Sequence, residues 1–366
     1  MKFIDLERQS KLLFNRNINS IKKIFLKSQY IMGEEVFILE EKLKKYTGSK
    51  YCITTSSGTD ALLIALMSLN LKKGSEIITT PFTYVSTAEI IVRLGFKPVF
   101  VDIEYDTCNI SASEIEKKIS KKTSAIIPVS LFGQTAEMKK INKIAKSYNL
   151  PIIEDGAQSF GSKHYNKKSC NLSLIGCTSF FPTKALGSYG DGGALFTNNK
   201  LLAQKCKIIR NHGQKKKYLY ETLGINGRLD TIQATFLLNK LEYFENEIKK
   251  RKLKASYYFK NLKKVEQIKF FSTRKYNSNI YTLFNIKVLY RDKLAKYLNK
   301  KGIPTMIYYP KPLSHFKPFK IFIYKNMRIN NAIKISKEIL SLPFSPYILK
   351  EEQDRVIKHI KLFYNK

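Results

Sequence analysis

Tryptophan is absent from the 366 residues, histidine occurs four times, and Asp and Glu together number 29 against 65 Lys and Arg. The four histidines are scattered and show no metal-ligand spacing, so no metal centre is expected. The cysteines, Cys52, Cys108, Cys170, Cys177 and Cys206, are odd in number and far apart, and no C-x-x-C occurs. That excludes a zinc framework and a disulfide scaffold, and predicts reduced, mostly structural thiols. No segment offers the roughly twenty apolar residues a membrane helix needs. Charges break residues 1–8 too early for a signal peptide. A soluble cytoplasmic chain without membrane insertion is the expectation.

The shortage of acids leaves a formal net charge of +36. Such a charge suits a polyanion, but no nucleic-acid-binding motif accompanies it. Lys, Asn, Ile, Phe and Tyr are abundant, and all are favoured by A/T-rich codons. The basic run 249–254 lies in a helical stretch and reads as a solvated face. A basic binding or regulatory protein is therefore the rival class, and it predicts nucleic-acid binding that weakens steeply with salt.

What is present points to a folded protein. Hydrophobic residues make up 43%, with 23 Phe and 22 Tyr. The length exceeds one ordinary core and predicts two domains, 1–240 and 241–366. Residues 33–47 read as an amphipathic helix, with Val36, Leu39, Leu43 and Tyr46 at helical spacing. Strands are then expected at 51–54, 76–79, 99–102, 125–129, 152–154, 175–180 and 193–197. Helices at 61–69, 87–94 and 136–148 alternate with them. This is the pattern of an α/β domain with a mostly parallel central sheet, in which function sits where strands end and helices begin. Beyond 228 the pattern changes to a smaller α+β domain. Residues 229–262 form one long helical stretch open to a bend. Strands follow at 284–288 and 305–308, with helices at 292–300, 332–339 and 351–363.

Four segments can carry chemistry. Thr55-Ser56-Ser57-Gly58-Thr59-Asp60 links a strand to a helix. Gly58 permits close backbone approach, and free N–H groups at the helix start attract an anion; an ordinary cap by Ser57 or Thr59 is the plainer reading. Ile152-Ile153-Glu154-Asp155-Gly156-Ala157-Gln158 brings Asp155 to the end of a buried strand. Ser179-Phe180-Phe181-Pro182-Thr183-Lys184-Ala185-Leu186-Gly187 places Lys184 on a loop that runs on into Gly190-Asp191-Gly192-Gly193. Gly224-Ile225-Asn226-Gly227-Arg228 precedes the long helix and offers a phosphate donor and a planar cation. An anion site, an acid and a lysine, in that order and all at strand ends, suit pyridoxal 5'-phosphate (PLP). The lysine forms a Schiff base, the acid pairs with the pyridine nitrogen, and the helix start takes the phosphate.

On these motifs the chain resembles the DegT/StrS-type sugar-nucleotide aminotransferases, which have the aspartate-aminotransferase fold (PLP fold type I). The likeness runs from Phe3-Ile4-Asp5-Leu6 to Leu340-Ser341-Leu342-Pro343, through Phe82-Thr83-Tyr84-Val85 and Arg210-Asn211-His212-Gly213-Gln214. It implies that Lys184 is catalytic and holds the cofactor, with Asp155 on the ring nitrogen, Tyr84 on the ring face and Gln158 near the phenolic oxygen. Gly58, Thr59 and Ser179 would hold the phosphate, joined by Asn226 of a second subunit. Arg228 of that subunit, with Tyr308 and Tyr309, would meet the substrate. A homodimer with shared sites and L-glutamate as donor follow from the same likeness. So does a nucleotide-linked 3-keto sugar as acceptor, the UDP-N-acetyl 3-keto glucuronate of cell-surface polysaccharide (lipopolysaccharide O-antigen) synthesis. A 3- or 4-keto deoxysugar is the runner-up. Related PLP dehydratases carry His where Lys184 stands, which favours transamination. Two departures touch the substrate segment: Tyr308 replaces a usual His, and Ser314-His315-Phe316-Lys317 stands where the family has Gln.

Overall fold

The structure is a computed structural model that describes residues 1–324 and 327–365. A three-stranded sheet of Lys97–Phe100, Glu76–Thr79 and Thr123–Ile126, in that order, is parallel throughout. A four-stranded sheet runs Ile153–Asp155, Ile175–Ser179, Gly193–Thr197, Tyr51–Thr55. The parallel bridges Ile126↔Ile152 and Val129↔Asp155 join the two into one large sheet. Gly193–Thr197 alone is antiparallel to its neighbours, so the sheet is mostly parallel, as its β/α alternation predicts.

Helices cover it for reasons visible in their sequences. Gly58–Ser68 is apolar on nearly every side and buried from Ala61 to Leu66. It fits between the sheet and the helices Ser86–Arg93 and Lys200–Arg210. Glu34–Thr47 carries Glu34 and Glu35 in its first turn and Lys44 and Lys45 in its last, matching the helix dipole at both ends. Its buried face, Val36, Leu39 and Leu43, packs with Phe160, Phe180 and Phe196.

A small antiparallel sheet follows, with Phe284–Val288 between Ile268–Phe270 and Ile339–Leu342. Its core joins Tyr258 and Leu262 to Leu294, Leu298, Val356 and Ile360. The long helical stretch is broken at Tyr243 into Thr231–Leu241 and Phe244–Leu262.

Two expectations are corrected here, and one element is added. Residues 305–308 form no strand; only Met306 bridges, to Ser341, and the flanking Pro304 and Pro310 have no N–H to extend a ladder. Ile339–Leu342, whose first residue ends the helix predicted at 332–339, is a strand of the small sheet. A helix at Leu6–Lys27 was not anticipated. Its buried residues are Gln9, Leu13, Asn17 and Ile24, half of them polar, so apolar spacing does not reveal the face.

All five cysteines are buried and free. Among the described residues there is no cluster of His, Cys, Asp and Glu able to hold a metal, and no helix long and apolar enough to cross a membrane.

Candidate active site

At the carboxyl ends of the parallel strands a cavity of about 390 Å³ opens. Its lining includes Gly58, Thr59, Tyr84, Asp155, Gln158, Ser179, Lys184, Tyr308 and Tyr309. Nine of the eleven residues predicted from sequence thus meet in one place. A wider groove, about 780 Å³ along Lys140, Lys143 and Arg274, contains none of them. Chemistry, and not volume, picks out the smaller cavity.

Asp155 ends its strand and is buried. The Thr87 hydroxyl donates to one of its oxygens at 2.8 Å, and the Ala157 amide donates to the other at 3.1 Å. Each oxygen keeps room for another donor. Burial pushes the carboxyl above its ordinary range, and Thr87, Ala157 and the Lys184 charge pull it back. Alternation along the strand sends Glu154 the other way, where it accepts from the Ser169 hydroxyl at 2.7 Å and the Cys170 amide at 3.0 Å.

Lys184 sits on a tight loop. Its amide donates to the Phe181 carbonyl at 2.8 Å, and the Ser188 amide closes back on the Phe180 carbonyl at 2.7 Å. A Cβ on Gly187 would stand 2.4 Å from the Pro182 carbonyl oxygen, so the loop requires glycine there. Burial lowers the proton affinity of the Lys184 amine, and the Asp155 charge opposes that. A lysine poised this way offers its lone pair more readily than an exposed one.

The helix Gly58–Ser68 begins at the cavity. Ser57 caps it, accepting from the Asp60 amide at 3.0 Å, while the Thr59 hydroxyl pairs with that of Ser86 at 2.8 Å. As the first two helical residues, Gly58 and Thr59 leave their N–H groups without helical acceptors. A Cβ on Gly58 would lie 2.6 Å from that of Ser179, so only glycine lets the helix start reach the strand end. The Ser179 hydroxyl accepts from the Phe181 amide at 3.2 Å.

Tyr84 is 60% exposed despite its aromatic ring, and leaves a face open beside the cavity. The Gln158 amide donates to the Tyr309 hydroxyl at 3.0 Å and accepts from the Phe132 amide at 3.2 Å. Burial raises both Tyr308 and Tyr309 above the usual phenol range. These residues suit PLP on physical grounds. A helix start free of side-chain bulk fits a phosphate, a buried acid with spare lone pairs fits a ring N–H, and the lysine has a lowered proton affinity.

Asn226 and Arg228 do not join the others. Neither lines the cavity of its own chain. Asn226 is exposed and bridges Asn211, and the Arg228 guanidinium donates to the Asn211 side chain at 2.6 Å. Sequence reasoning missed Thr83, Thr87, Asp191 and Ile4 as lining residues. Thr83 and Thr87 bracket Tyr84, and their hydroxyls approach to 3.3 Å. That spacing of four at a helix start was the available signal.

Known proteins match this architecture along its whole length. The chain is 43% identical over 349 residues, 95% of its own length and 96% of the other's, to a Pseudomonas aeruginosa protein named UDP-2-acetamido-2-deoxy-3-oxo-D-glucuronate aminotransferase. It superposes on a DegT DnrJ EryC1 StrS aminotransferase from Brucella abortus with a TM-score of 0.96, at 37% identity and 100% coverage of both chains. NtdA from Bacillus subtilis, solved with bound cofactor PMP, gives 0.94 at 29% identity, covering 100% of this chain and 85% of that one. With its residues 13–361 matching the description of that family, the chain belongs to the DegT/DnrJ/EryC1/StrS aminotransferases, enzymes that work with PLP.

Proposed function

We propose that the chain moves the amino group of L-glutamate to carbon three of a nucleotide-linked 3-keto sugar. The sugar we assign is UDP-linked 2-acetamido-2-deoxy-3-keto-glucuronate, a building block for cell-surface polysaccharide such as lipopolysaccharide O-antigen. One observation carries the reaction type: Lys184 and Asp155 face one cavity with no ion pair between them among the described residues. The sugar rests on the end-to-end likeness to the Pseudomonas enzyme. We place the reaction in the cytoplasm and give nucleic acid no part in it.

PLP, when bound, supplies a protonated ring that draws electrons from the amine-bearing carbon. The rest belongs to the protein. Lys184 holds the cofactor through its amine and then takes up and returns the substrate proton at Nζ. Asp155 would accept from the ring nitrogen and keep it protonated. Tyr84 would cover the ring, and Gln158 would help to hold it. Gly58, Thr59 and Ser179 hold the phosphate, and Tyr308 and Tyr309 line the sugar side.

Asn226 and Arg228, outside their own chain's cavity, act in that of a second copy. Asn226 reaches the phosphate there, and the Arg228 fork meets the sugar carboxylate. The working unit is then a homodimer, with residues 1–240 of each chain as the cofactor domain and 241–366 as the smaller one.

The test is a substrate panel. The colour of the bound cofactor should fade with L-glutamate as 2-oxoglutarate appears, and return with the UDP-linked 3-keto uronate. Faster turnover of 4-keto-6-deoxy sugars overturns the uronate assignment. A colour that does not respond to glutamate overturns the donor.

A further inference from the structure

Ile4 lines the cavity beside Tyr308, Tyr309 and Leu283, although it stands before the first helix. Its neighbours fix it from both sides. The Phe3 carbonyl accepts from the Phe344 amide at 3.0 Å, and the Phe3 ring lies 6.3 Å from that of Tyr308. On the other side, Asp5 caps the helix Leu6–Lys27 by accepting from the Arg8 amide at 3.1 Å. The Arg8 guanidinium forks onto Glu352 at 2.7 and 3.1 Å and donates to the Tyr347 carbonyl at 3.2 Å.

Farther along, the same helix is bonded to the helix Thr231–Leu241: Arg16 donates to the Asn239 side chain at 2.9 Å, and Asn239 donates to Asn17 at 3.0 Å. Residues 3–8 therefore form a strap. Phe3 ties one end to Phe344 and Arg8 ties the other to Tyr347 and Glu352, and the helix that continues from Arg8 packs on Thr231–Leu241. Ile4 is the strap residue that meets the cavity, and it is only half-buried. An apolar side chain held this firmly yet left partly open is positioned to be covered by something else. Polar residues of the lining include Ser57, Thr59, Thr87, Asp155 and Ser179. Ile4, Leu283 and the rings of Tyr308 and Tyr309 add apolar surface to that lining.

We propose that Ile4 is a specificity-determining residue for the amino acceptor, packing against an apolar part of the sugar such as an acetamido methyl. The Arg8–Glu352 fork is its positioning device. The inference rests on the nucleotide-sugar reading above. Glutamate is small and charged at both ends, and gains little from an apolar side chain in the lining. A bulky sugar gains more.

The two half-reactions separate these contributions. In Ile4→Ala, the ratio of kcat/KM for the UDP-linked 3-keto sugar to that for glutamate should fall roughly tenfold, mainly through KM for the sugar; contacts of one or two methylenes discriminate on that scale. Ile4→Leu, which keeps the volume, should restore most of the ratio. Arg8→Met should move the ratio in the same direction by less. Equal losses in both half-reactions, or an unmoved ratio, overturn the inference while leaving the nucleotide-sugar reading intact. If the unaltered enzyme turns over no nucleotide-linked keto sugar, that reading fails and takes the inference with it.

Discussion

Glu40 and Arg210 form a buried ion pair at 2.7 Å, whereas Asp155 and Lys184 share a cavity without one. In the first couple one carboxylate oxygen takes the Arg210 guanidinium at 2.7 Å, the Thr54 amide at 2.9 Å and the Thr54 hydroxyl at 2.9 Å. Arg210 also donates to the Thr54 carbonyl at 3.1 Å. That couple binds the helices Glu34–Thr47 and Lys200–Arg210 to the strand between them, and it is largely spent on its own neighbours. In the second couple each Asp155 oxygen accepts one donor, and burial draws the lysine toward its neutral form. Buried charge paired with its own neighbours is structural, although the Arg210 Nε itself has no hydrogen-bond partner among the described residues. Charge kept apart around a cavity is available to a ligand.

Lys184→Ala should show the largest separation between the two. Turnover should drop roughly 10⁴-fold or more, since on the proposed roles the proton carrier and the cofactor's holder vanish together. With the cofactor stripped from both proteins the unfolding midpoint should barely move, because the amine makes no ion pair among the described residues. Mixing this variant with Asn226→Ala subunits should return part of the activity if sites are shared between copies. Turnover near that of the unaltered enzyme would remove Lys184 from the chemistry. An absence of recovery despite proven subunit exchange would argue against shared sites.

Glu40→Gln should do the reverse. Removing one member of a buried pair typically costs about 3–5 kcal/mol, because the other charge stays behind uncompensated. Urea unfolding should show that loss, while turnover per folded molecule stays within a few-fold. If stability holds and turnover collapses, Glu40 belongs to the site and the contrast between the couples is lost.

How far each couple was legible beforehand follows the same division. Asp155 and Lys184 sit at strand ends beside glycines, and strand ends can be found from short apolar runs. Glu40 and Arg210 lie 170 residues apart in sequence, each on a helix, and nothing local marks them as partners. Glu154 and Asp155 are adjacent acids, and only the strand's alternation sends one to the cavity and the other to Ser169 and Cys170. The helix Leu6–Lys27 escaped because its polar residues find distant partners. Gln9 donates to Glu247 at 2.7 Å, and Asn17 donates to the Tyr189 hydroxyl at 3.3 Å. With that helix went the strap that brings Ile4 to the cavity. Asn226 and Arg228 had the motif but not the geometry, since one chain does not bring them to its own site.

Thr87→Val tests the smallest difference, the single hydroxyl that keeps Asp155 ready for a cation. The change preserves shape and removes the donor 2.8 Å from the carboxylate. A hydrogen bond to a charged group contributes about 1.5–3 kcal/mol, so PLP affinity should weaken roughly ten- to hundredfold. Its pH dependence carries the sign. Burial already raises the Asp155 carboxyl, and the Thr87 bond is the first of the interactions that lower it. Without that bond the carboxyl rises further, and protonation competes with the ring nitrogen at higher pH. The acid limb of PLP binding should therefore shift upward, with the deficit greatest at low pH and shrinking as pH rises. Titrating the cofactor against both proteins across that range checks it. A deficit that is constant with pH would mean that Thr87 shapes the pocket without tuning the acid.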